Sequence, residues 1–138
     1  MDKESCIFCK IVKGEIPCAK IYENESVLCF LDIKPVNIGH ALVIPKTHYM
    51  DIYETPEEIL SEMMKTAKKI SIALKQVLGA DGVNVCMNNE SAAGQIIFHS
   101  HIHVMPRIAG DGFGPWQGKR DYQEGEMDEV AKKISQEL

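Results

Sequence analysis

The spacing of three histidines constrains the fold of this chain more than any other feature of its sequence. His99, His101 and His103 occupy alternate positions, and the residues around them include isoleucine, valine and phenylalanine. Such β-branched and aromatic residues favour a pleated strand, in which alternate side chains share one face. The pattern therefore predicts three imidazoles along one side of a strand. Pro106 cannot donate to a strand ladder, and we expect the strand to end there.

Three imidazoles on one strand indicate a division of roles rather than a single metal site. At about 3.3 Å per residue, the outer two lie roughly 13 Å apart. Zn–N bonds are about 2.0–2.1 Å long, so an adjacent pair can share one ion but all three cannot. A row of merely solvated histidines is disfavoured, because each imidazole on a half-buried face needs its own polar partner.

The composition is that of an ordinary globular domain. The chain has 138 residues, of which 45% are hydrophobic, so residues 1–138 can form a single domain with a substantial core. The net charge is −5 with scattered Lys and Arg, which argues against binding a nucleic acid polymer or a membrane surface but leaves room for a small phosphate ligand. The sequence has no apolar run long enough to span a bilayer and no signal-peptide layout, so we predict a cytoplasmic protein.

The five cysteines are an odd number, which disfavours a disulfide framework in a chain without an export signal. Cys6 and Cys9 lie three residues apart in a segment that predicts a short helical turn ending at Gly14. The pair could bind zinc or remain as two buried free thiols, whereas a redox role would require a preceding strand. A closed zinc site needs two more ligands, and the candidates are His40, His48 and the alternating histidines.

Apolar patterning predicts the strands of an antiparallel sheet. The predicted strands are residues 20–23, 27–32, 40–45, 82–89 and the histidine segment. The first two are joined by turn residues and form a hairpin. The last two are joined by a short glycine-containing loop at 89–95, which indicates an antiparallel pair.

One long helix is predicted between the third and fourth strands. Thr55 is its expected N-cap, Pro56 its first residue, and Glu58 completes a capping box. Apolar residues then repeat at helical spacing until Gly79, which ends the helix. Residues 126–138 show the same spacing and predict a C-terminal helix. The sum is an α+β domain with an antiparallel sheet of about five strands.

The histidine segment and its flanks resemble the histidine triad (HIT) superfamily, in which His-x-His-x-His is followed by two apolar residues. Gly94-Gln95 before the triad and Pro106-Arg107 after it are similar as well. Further similar stretches lie at residues 8–12, 15–17, 30–33 and 39–46, together with Asn89. The resemblance is to the Hint-type and bacterial branch. It runs from about residue 6 to about residue 115, leaving 116–138 as a C-terminal extension.

The resemblance implies a HIT-like fold, a homodimer and a nucleoside phosphoramidase-type hydrolase. Such an enzyme cleaves purine nucleotides at the α-phosphate through a covalent nucleotidyl-histidine intermediate. His101 would be the nucleophile, and His40 would orient the site. His103 and Gln95 would contact the phosphate and the leaving group. The nucleotide contacts implied by the resemblance are Phe8, Asp32, Ile33, Asn89, Gly94, Gln95, His101 and His103.

Bacterial members that keep a Cys-x-x-Cys pair are similar in a further respect. Their pattern implies a structural zinc ion bound by Cys6, Cys9, His48 and His99. A closed four-ligand site has no open position for substrate, so this metal would fix the position of the histidine segment rather than activate water.

Several positions keep a second interpretation. Ile96 stands where the family often has Ser or Thr, so a hydroxyl contact with phosphate is missing, and Ser100 replaces a residue that is usually apolar. Asp32 could simply start the turn that follows it, and the loop at 89–95 could be an ordinary hairpin loop. Glycine-rich residues 110–116 resemble no nucleotide-binding loop, and we expect a mobile or partner-contacting segment.

Three alternative functions stay open at this point. A dinucleoside polyphosphate hydrolase is suggested by Pro106-Arg107 and residues 109–111. A metal-dependent hydrolase could use His99 and His101 on one catalytic ion, although the first glutamate after the triad is distant, at Glu124. A non-enzymatic nucleotide-binding adaptor would bind nucleotide without forming a covalent intermediate.

Overall fold

Five strands form one antiparallel sheet in the computed structural model, which describes residues 3–114 and 118–138. The strands are β1 Lys20–Glu23, β2 Val27–Leu31, β3 Ala41–Pro45, β4 Gly82–Cys86 and β5 Ile102–Arg107. Their order across the sheet is β1-β2-β3-β5-β4, and every neighbouring pair is antiparallel. The helices are α1 Ile7–Val12, α2 Glu57–Leu78 and α3 Glu126–Ser135, with a single 3-10 turn at Ser91–Ala93. The predicted α+β class is confirmed.

The two faces of the sheet have different covers. Alternate residues of β2, β3 and β5 pack against α2, which contributes Met63, Ala67, Ile70 and Leu74. On the opposite face, a second cluster joins the other residues of β2 and β3 to α1; its members are Cys6, Phe8, Cys9, Leu28, Phe30, Leu42 and Ile44. Burying each large apolar side chain stabilises the fold by roughly 1.5–3 kcal/mol. Both faces of β2 and β3 are therefore fixed, whereas β4 and β5 are covered mainly on the α2 side.

The histidine segment differs from the strand that its spacing predicts. β5 begins only at Ile102, so His99 and His101 precede it, and the strand continues through Pro106 to Arg107. The Pro106 carbonyl accepts a hydrogen bond from the Asn37 side chain at 2.9 Å. This carbonyl therefore points away from β4 and towards the β3 side of the strand. On that side the ladder between β3 and β5 has already ended at Val104. The missing N–H of Pro106 points the same way and removes no ladder bond, which is why the strand continues.

The start of α2 also differs from the prediction, whereas its end agrees. The N-cap residue is Pro56, and no side chain caps the helix, so neither the Thr55 cap nor the Glu58 capping box forms. Thr55 is buried; its hydroxyl donates to the Asp51 carbonyl at 2.6 Å, and its oxygen lies 3.0 Å from the Ser100 hydroxyl, from which it can accept. These two partners replace the helix cap, and Ser100 is distant in sequence. Gly79 ends the helix in the left-handed conformation, with φ of 65°.

The chain after β5 is anchored at its start. Asp111 accepts two hydrogen bonds from the Arg107 guanidinium, at 2.7 and 2.8 Å, and this ion pair holds the pKa of Asp111 well below its usual range. Pro115 and Trp116, the end of the glycine-rich segment, lie outside the described residues. α3 forms as predicted, and every residue of 118–138 is exposed.

Within the described ranges, no helix is both long and apolar enough to cross a membrane.

Candidate active site and metal centre

Two sulfur and two nitrogen atoms from three separate segments converge beside α1. Cys6 is the N-cap of α1 and Cys9 lies one turn later, while His48 follows β3 and His99 precedes β5. His99 Nδ1 lies 3.4 Å from Cys6 Sγ and 3.6 Å from Cys9 Sγ. His48 Nδ1 lies 3.3 Å from Cys9 Sγ and 3.2 Å from His99 Nδ1. The structure therefore brings together all four residues that were expected to bind zinc.

The donor atoms of this cluster fit a tetrahedral zinc ion. Bond lengths of about 2.3 Å to sulfur and 2.0–2.1 Å to nitrogen put tetrahedral ligand atoms roughly 3.3–3.8 Å apart, close to the separations described above. His99 Nε2 donates to the Pro45 carbonyl at 2.8 Å, so the ring proton lies on Nε2 and the Nδ1 lone pair faces the thiols. Burial lowers the pKa of His99 to about 4, which keeps the ring neutral. Burial, with Cys6 alongside, raises the pKa of Cys9 to about 11, so a cation would be needed to favour the thiolate.

A second cluster contains two imidazoles and a carboxylate. His40 Nε2 lies 3.0 Å from His103 Nδ1 and 3.7 Å from Asp32 Oδ2. These distances alone would also suit a metal ion. However, the Val36 backbone N–H donates to His40 Nδ1 at 3.0 Å, so the proton of neutral His40 lies on Nε2, where a metal ligand would need a lone pair. The cluster is therefore a hydrogen-bonded relay from Val36 through His40 to His103.

The hydrogen bonds of His101 and His103 assign different roles to the two rings. His101 Nδ1 lies 2.7 Å from the His99 carbonyl oxygen, which can only accept, so His101 carries its proton on Nδ1 and a lone pair on Nε2. His40 Nε2–H donates to His103 Nδ1, which leaves the His103 proton on Nε2. Burial lowers the pKa of His101, and it lowers the pKa of His103 to about 4. A neutral imidazole with an unprotonated Nε2 thus lies beside an N–H donor, with ring centroids 4.9 Å apart.

A cavity of about 780 Å³ lies over β4 and β5, and its lining includes His40, Cys86, Asn88, His103 and Met105. Cys86 is directly opposite His103 in the sheet, so both side chains lie on the face that faces this cavity. Asn88, two residues further along, keeps the same alternation and also lines it. Asn88 was not among the residues predicted from the sequence, although strand alternation through Cys86 was the signal that could have found it. Its neighbour Asn89 accepts a hydrogen bond from the Ile52 backbone N–H at 2.8 Å.

Gln95 lies buried at the base of the loop that precedes the histidines. Its side-chain oxygen accepts from the Glu90 backbone N–H at 2.8 Å. Its amide donates to the carbonyls of Met50 and Ile97, at 2.7 and 3.1 Å. In this structure Gln95 therefore fixes the shape of the loop. Gly94 beside it has a φ of 95°, a conformation that favours glycine.

The other expected nucleotide contacts lie around the two clusters. The Phe8 ring packs edge-on against His101, with centroids 5.2 Å apart, and against His99 at 5.8 Å. Asp32 Oδ1 accepts from the Lys34 backbone N–H at 2.8 Å, as the turn interpretation predicts, while Oδ2 faces His40. Ile33 is 94% exposed. The carboxylate thus serves the turn and remains close to the histidine relay.

Comparison with known proteins identifies close relatives. The HIT domain family model matches residues 13–110. A crystal structure of a HIT family protein from Bacillus anthracis has a TM-score of 0.90 and 40% identity, covering 98% of each chain. A Zn-bound histidine triad family protein from Mycobacterium smegmatis has a TM-score of 0.78 and 40% identity, covering 97% of this chain and 99% of its own. Adenylylsulfatase HINT3 of Arabidopsis thaliana is 47% identical over 109 residues, which are 79% of this chain and 55% of that protein.

Proposed function

Because this chain belongs to the HIT domain family, we propose that it is a nucleotide-binding hydrolase that cleaves its substrate at the α-phosphorus, with His101 as the nucleophile. The observation that carries this proposal is the 2.7 Å hydrogen bond from His101 Nδ1 to the His99 carbonyl. It leaves the Nε2 lone pair of His101 free, and burial keeps the ring neutral by lowering its pKa. A neutral imidazole with an unprotonated nitrogen is the form that attacks phosphorus.

The proposed substrate class is a purine nucleoside 5′-phosphoramidate. The bridging amine nitrogen takes a proton from solvent. His101 Nε2 then bonds to phosphorus as the phosphorus–nitrogen bond of the substrate breaks, and the neutral amine leaves with that electron pair. The nucleotidyl-histidine retains its Nδ1–H and a positive charge. Water attacks phosphorus, the bond to Nε2 breaks, a proton returns to solvent, and nucleoside monophosphate and neutral His101 result.

The neighbouring residues support this chemistry through their positions. His103 would donate its Nε2–H to a phosphate oxygen as negative charge develops there, and His40 would keep His103 in that tautomer. Asn88 would offer its amide from the wall of the cavity, while Gln95 would hold the loop. The remaining contacts in the proposal are Phe8, Asp32, Ile33, Asn89 and Gly94.

The cluster of Cys6, Cys9, His48 and His99 is proposed to bind a structural zinc ion. Its donor set and spacing support this, and a Zn-bound relative of the same family supports it independently. Four protein ligands leave no open coordination position. When bound, zinc would hold together the three segments that carry these four ligands. The proposed nucleophile is still His101.

A second candidate substrate is adenylyl sulfate, in which sulfate takes the place of the amine. The 47% identity to an Arabidopsis adenylylsulfatase favours it. The same nucleophile would serve, because attack at the α-phosphorus forms the same adenylyl-histidine. Only the leaving group differs, so the two substrates can be compared with one enzyme preparation.

The test compares wild type with His101→Ala on adenosine 5′-phosphoramidate, adenylyl sulfate and a diadenosine polyphosphate. We expect wild-type turnover of the phosphoramidate and a loss of at least about 10⁴-fold in the variant, as for other removed nucleophiles. Denaturation at alkaline pH during turnover should trap wild-type protein that is heavier by one adenylyl group, because the phosphorus–nitrogen bond of the intermediate is cleaved by acid. Thermal unfolding and AMP binding of His101→Ala provide the folding control.

Other outcomes of this experiment select other functions. Turnover confined to diadenosine polyphosphate would favour that hydrolase class. If the protein binds AMP but turns over none of the three substrates, the proposed hydrolase activity is wrong and a nucleotide-binding adaptor is favoured. Turnover that zinc removal abolishes, in protein that remains folded and still forms the adenylyl adduct on denaturing quench, would place the metal in the hydrolysis step.

We further propose that the protein is a homodimer that uses the β4 edge of the sheet. Among the residues that the structure describes, β4 pairs only with β5, and it is the last strand in the sheet order. Val85 on β4 is 40% exposed, which leaves an apolar side chain at this edge. Light scattering after size exclusion should give the mass of two chains, and Val85→Lys should give one. A monomeric wild type at micromolar concentration would contradict this proposal.

A further inference from the structure

The segment that carries the nucleophile is not held by the sheet. Residues 96–101 precede β5, so His99 and His101 lie outside its ladder. The Ser100 backbone N–H instead donates to the Tyr49 carbonyl at 2.7 Å, and the Ser100 hydroxyl is hydrogen-bonded to the Thr55 hydroxyl at 3.0 Å. These partners belong to the connection between β3 and α2, which contains the candidate metal ligand His48.

His99 belongs to both sites at once. Its ring nitrogen Nδ1 faces the thiols of Cys6 and Cys9, at 3.4 and 3.6 Å. Its main-chain carbonyl, in the same residue, accepts the Nδ1–H of His101 at 2.7 Å. A shift of His99 away from the cysteines would therefore move the acceptor that fixes the tautomer and position of the nucleophile.

Phe8 provides a second connection between the two sites. It lies in the sequence between Cys6 and Cys9, on α1, and is buried. Its ring contacts His101 and His99 edge-on, with centroids 5.2 and 5.8 Å apart. Metal binding that fixes both cysteines would also fix the helix from which Phe8 packs against the nucleophile.

We propose that the metal cluster and the nucleotide site are energetically coupled through His99 and Phe8, so that bound zinc positions His101 and bound nucleotide retains zinc. This inference rests on the proposed function, because it takes His101 as the group that meets the nucleotide phosphate. Coupling of binding is reciprocal, so the factor by which zinc improves nucleotide affinity equals the factor by which nucleotide improves zinc affinity. His99 and Phe8 are positioning residues in this scheme.

The first experiment measures zinc release from zinc-loaded wild type into an excess of a chromophoric chelator, with and without saturating AMP. AMP makes no contact with the thiols in the proposal, so protection must pass through the protein. We expect AMP to slow release about tenfold, a factor typical of coupled sites. Calorimetry establishes AMP binding beforehand. Absence of AMP binding would overturn the proposed function and the coupling together, whereas binding with unchanged zinc release would overturn the coupling alone.

Phe8→Leu and Phe30→Leu form a matched pair for the same measurement. Phe30, on β2, contacts the Phe8 ring with centroids 5.6 Å apart, so both substitutions loosen one apolar cluster without replacing a metal-binding residue. Because Phe8 is also a proposed nucleotide contact, calorimetry first sets the AMP concentration that saturates each variant. Protection of zinc by AMP should fall towards onefold in Phe8→Leu and persist in Phe30→Leu. Equal protection in the two variants would overturn the assignment of Phe8. In a ring-nitrogen ¹⁵N spectrum, zinc-loaded wild type should show His101 as the Nδ1–H tautomer, and Phe8→Leu should shift that signal.

Discussion

The cluster of Cys6, Cys9, His48 and His99 and the histidine relay each bring two imidazole nitrogens together, 3.2 and 3.0 Å apart, yet they differ in the backbone group behind the ring. Behind His99 is the Pro45 carbonyl, which accepts a hydrogen bond from Nε2–H and leaves the Nδ1 lone pair free for a metal. Behind His40 is the Val36 N–H, which forces the proton onto the nitrogen that faces His103. The backbone group behind the imidazole therefore decides whether a histidine binds a cation or passes a hydrogen bond.

The largest effect should come from removing one thiol of the metal cluster. Cys9→Ser should abolish stoichiometric zinc binding and lower the free energy of unfolding by about 4 kcal/mol when free zinc exceeds its dissociation constant 1,000-fold. Metal analysis and denaturant unfolding with and without a chelator measure both quantities. His40→Asn is the matched change in the relay, and it should keep one zinc per chain. Two zinc ions per wild-type chain, falling to one in His40→Asn, would contradict the distinction between the clusters.

Acid should destabilise the folded protein through His103 of the relay, and this effect on the free energy of unfolding should be smaller than that of Cys9→Ser. Burial lowers the pKa of His103 from 6.5 to about 4, so the folded protein resists the proton that the unfolded chain accepts. Neutral His103 makes its full contribution to the free energy of unfolding above pH 6.5. That contribution is lost as the pH falls towards 4, by up to about 1 kcal/mol per pH unit for this partly buried ring. Urea unfolding between pH 7 and 4.5 should show a flatter dependence for His103→Asn than for wild type.

Asn88→Ala is the control for this pH dependence, because Asn88 lines the same cavity and has no titratable group. It should retain the wild-type slope. If the free energy of unfolding changes with pH equally in His103→Asn and in wild type, His103 does not cause the acid sensitivity.

The smallest effect concerns Ile96, which is 83% exposed on the loop that leads to the histidines. Ile96→Ser restores the hydroxyl that the family often has there, and an exposed substitution should change the free energy of unfolding by no more than about 0.5 kcal/mol. We expect kcat/KM for the phosphoramidate to rise by about fivefold, since one added hydrogen bond is worth about 1 kcal/mol. Ile96→Ala, which adds no hydroxyl, is the control, and an equal rise in both variants would assign the gain to lost bulk.

The sequence predicted the elements that local physics controls. The apolar runs of β2 and β3 and the stop at Gly79 all appear in the structure. The shared site of Cys6, Cys9, His48 and His99 was implied by the family resemblance, because spacing alone left His40 and all three alternating histidines as candidates. The errors occurred where distant groups compete with local preference. Thr55 is an adequate N-cap by type, but Asp51 and Ser100 take its hydroxyl. No pattern within 96–103 predicts the long-range bond between Ser100 and Thr55.

The roles of the histidines show the same limit at the level of single atoms. Their spacing indicated a division of labour, but the tautomers depend on Pro45, Val36 and the His99 carbonyl. All of these are main-chain groups whose positions come from the completed fold. Asn88 was missed for a related reason, because the register that aligns Cys86 with His103 is a property of the sheet and not of either segment alone.

The acceptor for the Nδ1–H of His101 is the main-chain oxygen of His99, and no codon specifies it. A saturation scan of position 99 would therefore score only the imidazole and its ligand chemistry, while the bond to His101 would remain available to each of the twenty amino acids. Protein semisynthesis offers a direct way to weaken that acceptor: an ester in place of the amide between His99 and Ser100 makes the carbonyl a poorer acceptor. The same replacement removes the Ser100 N–H that donates to the Tyr49 carbonyl, so its effect must be compared with an ester between Tyr49 and Met50, which weakens that bond at its acceptor and leaves the His99 oxygen unchanged.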